Sequence, residues 1–311
     1  MRTNEPRSAV KRLLATALGL ALVAALLEGG LWAARRWRAP HAPAPAPAAS
    51  RDAPALTILC AGDSYVYGVG SSSPERAYPA QLQAILQQRR PERLVRVLNI
   101  GVRGHNTSET LAVLQRAVPP LAPPPELVVV TSGINNFWNL HLSTALEEGY
   151  ATLPVSKRWL RRFEAAHVGK MAVILWQNTR SLATQLAARE NWLNEEQKSV
   201  SLFDEKNPVE MHFVETWVKH DIAAIGRCVQ SAGSRPVFTQ YVGGETNEWV
   251  ESAARENGFA VCPSPGHADI WEKAEQFAPD GWHLNDGGQA VYARKVADCL
   301  EPLLSSPAPP P

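Results

Sequence analysis

The chain has almost no surplus charge: 31 Lys and Arg stand against 30 Asp and Glu, a net of +1. With no basic excess and no Lys/Arg stripe through the body, nothing electrostatic recruits nucleic acid. Cysteine is scarce too. The four cysteines, Cys60, Cys228, Cys262 and Cys299, form no CxxC pair and no Cys/His grouping of zinc type. Cys60 lies in an apolar run and reads as a buried small hydrophobe. An exported body would allow one disulfide among the other three, and the sequence leaves the pair open. No repeat of solenoid period is present, which excludes a repeat array.

What the chain does have is length and apolar content. At 311 residues and 45% hydrophobic, there is room for one ample domain plus extras. Residues 13–34 are almost continuously apolar, long enough for a bilayer-spanning helix at about 1.5 Å rise per residue. Arg2, Arg7, Lys11 and Arg12 precede the run, which makes 1–12 cytoplasmic and the body extracytoplasmic, on the periplasmic side. Arg35, Arg36 and Arg38 follow it and favour the opposite sense. Trp32 and Trp37 suit an interfacial belt, so the run is read as a retained signal anchor. The alternative is a cleaved signal peptide closing on Ala33 and Ala34, with a secreted body. Either reading exports the domain. Residues 35–54, rich in Pro and Ala, form an extended, semi-rigid spacer, and 305–311 a disordered tail.

Between these ends, 55–304 reads as one domain. Leu56–Cys60, Val95–Ile100, Leu127–Thr131, Pro236–Gln240 and Phe259–Val261 read as strands apolar on both faces. Tyr78–Gln88, Ser108–Ala117, Val214–Ser231 and Gly288–Leu303 read as helices. Apolar strands joined by helices predict a three-layer α/β/α sandwich around a five-stranded parallel, flavodoxin-like sheet. About 138–210 shows mixed helical character and no clear strand, as expected of a helical insertion over the site.

Reactive groups in such sheets gather at the carboxyl ends of the strands. Ser64 follows the first strand, where a tight turn would hold its Oγ away from the core. It is also where a helix N-cap would stand. Asp280 precedes His283 by three residues, on one helical turn, placed to support that imidazole as a base. Asp280 could equally cap the turn before Gly281. Together these are the parts of a Ser-His-Asp hydrolase, in which the base takes the serine proton and the aspartate orients the base.

Four blocks in order carry a resemblance: Gly62-Asp63-Ser64, Asn99 through Gly104, Gly133-Ile134-Asn135-Asn136, and Asp280-Gly281-Trp282-His283. The chain resembles the SGNH hydrolases, the GDSL-type esterases and lipases. The resemblance implies Ser64 as nucleophile, His283 as base and Asp280 as its support. It also implies an oxyanion hole made of the Ser64 and Gly104 backbone N–H groups and the Asn135 side-chain amide, with Gly101 the neighbouring candidate. Asn135 could alternatively cap the following helix. No metal and no cofactor are implied. Asn136 stands where the family usually has Asp, and Tyr65 where it has Leu. Asp63 is expected to make structural hydrogen bonds near the turn.

Eight of the ten tryptophans fall from Trp138 to Trp282. Trp138, Trp282, Tyr65 and Tyr67 are placed beside the blocks to touch substrate, and flat aromatics suit sugar rings. The expected function is a membrane-tethered serine ester hydrolase acting on O-acyl (acetyl) groups of glycans or on lipid esters. The alternatives are an acyltransferase using the same acyl-serine, or a non-catalytic binding or assembly module.

Overall fold

The computed structural model describes residues 55–140, 201–264 and 274–305, with helical residues 19, 22–23 and 25–30 near the N-terminus. The chain divides into two units, and the one formed by Pro47–Pro154 with Ser201–Pro311 holds the sheet. The expected cytoplasmic segment 1–12, the spacer 35–54, most of the insertion (141–200) and residues 306–311 of the tail lie outside the described residues. So does most of the expected anchor, 13–34. Among the described residues no helix is long and apolar enough to cross a membrane.

Five parallel strands form one sheet: β1 (Leu56–Gly62), β2 (Val95–Asn99), β3 (Leu127–Thr131), β4 (Arg235–Thr239) and β5 (Ala260–Cys262), in the order β2-β1-β3-β4-β5. Pairing Cys60 with Asn99 on one side and Gly62 with Thr131 on the other brings the carboxyl ends of β1, β2 and β3 together. The helices are α1 (Ser64–Tyr67), α2 (Tyr78–Arg89), α3 (Thr107–Ala117), α4 (Pro208–Ser231), α5 (Asn247–Glu256) and α6 (Asp286–Ser305). Alternation of side chains along each strand gives the sheet two apolar faces. Leu56, Ile58, Cys60, Leu127 and Val129 pack with Leu82 and Leu86 of α2 and Tyr292, Val296 and Leu300 of α6. The opposite face is covered by α3, α4 and α5.

The central strands are apolar on both faces as expected, but β2 is not. It is an edge strand, and only Val95 in it is buried. Its edge N–H groups are taken by side chains of α2: Val95 donates to Gln87 at 2.9 Å and Val97 to Gln83 at 2.8 Å. That covering closes an edge that would otherwise be open to strand addition. Helix α4 starts six residues before the expected Val214, because Asn207 caps it and Pro208 opens it. It therefore takes in the end of the expected insertion. Helix α5 was not foreseen in the sequence, since only Val250, Ala253 and Ala254 make its buried stripe. Ser305, expected in the tail, is the last residue of α6. Cys262, ending β5, is bonded to Cys299 of α6, which answers the open pairing, while Cys60 is buried and Cys228 free.

Candidate active site

The site begins where β1 ends. A Cβ on Gly62 would fall 1.9 Å from the Thr131 carbonyl, so β1 can run this close to β3 only with glycine there. Asp63 then caps the single turn α1: its Oδ1 accepts the Tyr65 N–H at 3.0 Å. Because Asp63 does the capping, the hydroxyl of Ser64 is left for other work. It meets His283 Nε2 at 2.9 Å.

His283 comes from the segment before α6. The Asp280–His283 stretch is not helical, as the three-residue spacing suggested, but a turn closed by Ala278 N–H bonding the His283 carbonyl at 2.8 Å. Gly281 takes a φ of +74° there, in the left-handed region. Asp280 serves both expected purposes. Its Oδ1 accepts the Trp282 and His283 backbone N–H groups at 3.0 Å each, and its Oδ2 meets His283 Nδ1 at 2.7 Å. Burial alone would raise the Asp280 pKa. The bonds from His283 and Trp282 outweigh it and hold the carboxyl below its ordinary value. Ser72 fixes the start of α6 through Asp286, and Asn285 bonds the Glu275 and Phe277 carbonyls, so the histidine loop is anchored on both sides.

Backbone donors stand beside the serine. Gly104, with φ +73°, is exposed, and among the described residues neither its N–H nor that of Ser64 has a hydrogen-bond acceptor. Gly101 has a different task. Its N–H is taken by Asn99 Oδ1 at 2.9 Å, and a Cβ there would lie 2.4 Å from the Tyr67 nitrogen. It lets the loop after β2 close onto α1. Asn135 does not cap the turn Ile134–Phe137. Its amide donates to Asp63 Oδ2 at 2.9 Å and to the His105 carbonyl at 3.1 Å. Both of its N–H groups are thereby engaged.

Asp63 is fully buried, and Tyr241 donates to its Oδ2 at 2.5 Å. Burial pushes its pKa up to about 6, against the lowering effect of the bonds from Tyr241, Tyr65 and Asn135. Tyr241 was not legible as a site residue. The signal that could have found it is its place just past the carboxyl end of β4, on the same sheet edge as the rest.

Asn136 explains its own departure from the family pattern. It accepts the Thr107 N–H at 3.0 Å and donates to the Thr107 hydroxyl at 2.8 Å. That hydroxyl donates in turn to Asp221 at 2.7 Å, and Asp221 also takes Ser108 at 2.5 Å and the Trp217 indole at 2.9 Å. With Asp221 using the one hydroxyl proton, the residue at 136 has to be a donor.

Of the expected substrate contacts, Tyr67 and Trp282 are exposed, at 52% and 46%. Trp138 is half-buried, with its ring 6.3 Å from that of Phe137. Tyr65 is a correction. It is buried, stacks edge-on with Tyr241 at 5.1 Å and Tyr292 at 5.9 Å, and reaches the Trp282 carbonyl with its hydroxyl at 3.4 Å. It supports the histidine loop from within. Trp217, one of the eight tryptophans from Trp138 to Trp282, is core. Among the described residues no three His, Cys, Asp or Glu side chains group to hold a metal.

A family model described as GDSL-like Lipase/Acylhydrolase matches residues 60–291. No protein of curated function matches the sequence. Among solved structures, the chain is similar to a two-domain esterase active on acetylated mannans (16% identity, TM-score 0.48), with 82% of this chain and 51% of that one covered. It thus spans about half of that protein. It is also similar to a family 3 carbohydrate esterase of Clostridium thermocellum (12% identity, TM-score 0.48, 81% and 98% covered). A third likeness is to the psychrotrophic esterase EstA from Pseudoalteromonas sp. (13% identity, TM-score 0.47, 81% and 100% covered). Since the family match takes in most of its length, the chain belongs to the GDSL-like lipase/acylhydrolase family and is a carboxylic ester hydrolase.

Proposed function

We propose that this ester hydrolase works through an acyl-Ser64 intermediate and is held at a membrane by its N-terminal apolar run. The observation that carries the reading is the unbroken chain from Ser64 through His283 to Asp280, at 2.9 and 2.7 Å. Ser64 Oγ attacks the ester carbonyl while His283 Nε2 takes its proton. The oxyanion that forms is met by the N–H groups of Ser64 and Gly104, and by Asn135 once it gives up one of its two present acceptors. Collapse expels the alcohol, which takes the proton back from His283. Water then repeats the sequence on the acyl-serine, releasing the acid.

Two features support export. The described N-terminal helical residues leave Leu22, Val23, Leu26 and Leu27 exposed, an apolar surface suited to lipid. The Cys262–Cys299 disulfide suits an oxidising compartment outside the cytoplasm. The exposed rings of Tyr67 and Trp282 favour a ring-shaped alcohol, so O-acetyl groups on glycans are the favoured substrate over lipid esters. The full chain in detergent micelles is expected to hydrolyse p-nitrophenyl acetate faster than p-nitrophenyl palmitate. A reversed preference would transfer the reading to lipid esters.

A further inference from the structure

The loop after β2 is clamped to the nucleophile's own turn. Asn99 Nδ2 bonds the Val66 carbonyl at 2.8 Å, and Val102 N–H bonds the Gly62 carbonyl at 2.9 Å. Its tip is a tight turn in which His105 N–H reaches the Val102 carbonyl at 3.2 Å, leaving Arg103 and Gly104 as the two central residues. The Gly104 carbonyl is fixed in turn by Asn139 Nδ2 at 2.7 Å. The backbone under Arg103 is therefore held from both sides, one residue from a proposed oxyanion donor. Consecutive Cα atoms lie about 3.8 Å apart.

Above this backbone, the Arg103 guanidinium lies over the ring of Tyr67, 5.5 Å from its centroid. Both side chains are exposed. Among the described residues no carboxylate reaches Arg103 within ion-pair distance. The two carboxylates of the site are committed to other partners, Asp280 to His283 and the buried Asp63 to Tyr241 and Asn135. A guanidinium over an aromatic face is held there by the ring's charge distribution and keeps N–H groups for a further partner, in a planar fork that matches an oxyanion bidentately. This contact also limits the side-chain freedom that binding would otherwise have to remove.

We propose that Arg103, laid on Tyr67, is the subsite for an anionic group of the substrate, so that the ester cleaved is carried by a negatively charged glycan. The inference rests on the hydrolase reading and names the substrate class of that site. A carboxylate and a phosphate monoester present the same fork of oxygens, and the test separates them.

The test compares O-acetylated methyl glucuronide, O-acetylated methyl glucoside 6-phosphate and neutral O-acetylated methyl glucoside, with p-nitrophenyl acetate as reference, on the full chain in detergent. One or both anionic esters should be cleaved with kcat/KM of order tenfold above the neutral sugar, mostly through KM. The better of the two identifies the anion. The advantage should shrink as NaCl is raised, fall to about unity in Arg103→Gln and be intermediate in Arg103→Lys, which keeps the charge without the fork. Equal kcat/KM for anionic and neutral sugars in the native enzyme, or an advantage that survives Arg103→Gln, overturns the proposal while turnover of the neutral esters leaves the hydrolase reading standing. No turnover of any of the four esters overturns both.

Discussion

Asn135 donates to the Asp63 carboxylate at 2.9 Å, tying the loop after β3 to the residue just before Ser64 across 72 positions of sequence. The same amide nitrogen donates to the His105 carbonyl at 3.1 Å. A side-chain amide has two N–H groups, so an approaching oxyanion has to displace one of these acceptors. The buried carboxylate, held also by Tyr241, is the acceptor that fixes the amide; the His105 carbonyl is neutral and the weaker competitor.

Replacing Asn135 with Ala should therefore lower kcat by about 10²–10³ with a much smaller change in KM, because the donor acts on charge that develops during the reaction. Steady-state kinetics on p-nitrophenyl acetate checks this. A change confined to KM would mean that Asn135 only binds the ground state.

Asp63 should carry a pH signature in stability. Its folded pKa, about 6, lies above the ordinary 3.8, so the folded protein binds more protons than the unfolded chain between those values. The stability it contributes is then fully present below the unfolded pKa and lost as pH rises through about 6. Urea unfolding of the native protein and Asp63→Asn across this window should show the native protein losing stability relative to the variant as pH increases. A relative gain would mean that Asp63 is ionised at lower pH than its burial implies.

Asn136→Asp would restore the residue the family usually carries, and it should destabilise this protein. Two carboxylates would then compete for the single Thr107 hydroxyl proton in a buried site. Losing that hydrogen bond and adding a second buried charge should cost at least about 1–3 kcal/mol. Denaturant unfolding near neutral pH reads the loss, and the double variant Asn136→Asp with Asp221→Asn should recover part of it. A stable single variant would rule out the shared-proton argument.

Much of this arrangement is legible in the sequence itself. The five strands were readable because the inner ones are continuous apolar runs, and Ser64, Asp280 and His283 because each stands at a strand end or in a recognisable block. The exceptions have physical causes. Helix α5 was hidden by a narrow buried stripe, and the edge position of β2 by Val and Leu that look alike in centre and edge strands. Tyr65 looked like a cleft aromatic because it follows the serine, yet one turn of helix sends it inward and leaves Tyr67 outside. The Asp63–Tyr241 pair and the Thr107–Asp221–Asn136 network depend on contacts between distant segments, which no local pattern encodes.

The proposed mechanism makes Ser64 the nucleophile, activated by His283. A fluorophosphonate probe applied to the full chain, followed by peptide mass spectrometry, tests this directly. A single phosphonylated serine, at Ser64, is expected. Ser64→Ala should abolish both the labelling and ester turnover, and His283→Ala should nearly do so, while Asp280→Ala should slow both but less severely. Labelling at another residue, or ester turnover that survives Ser64→Ala, would contradict it.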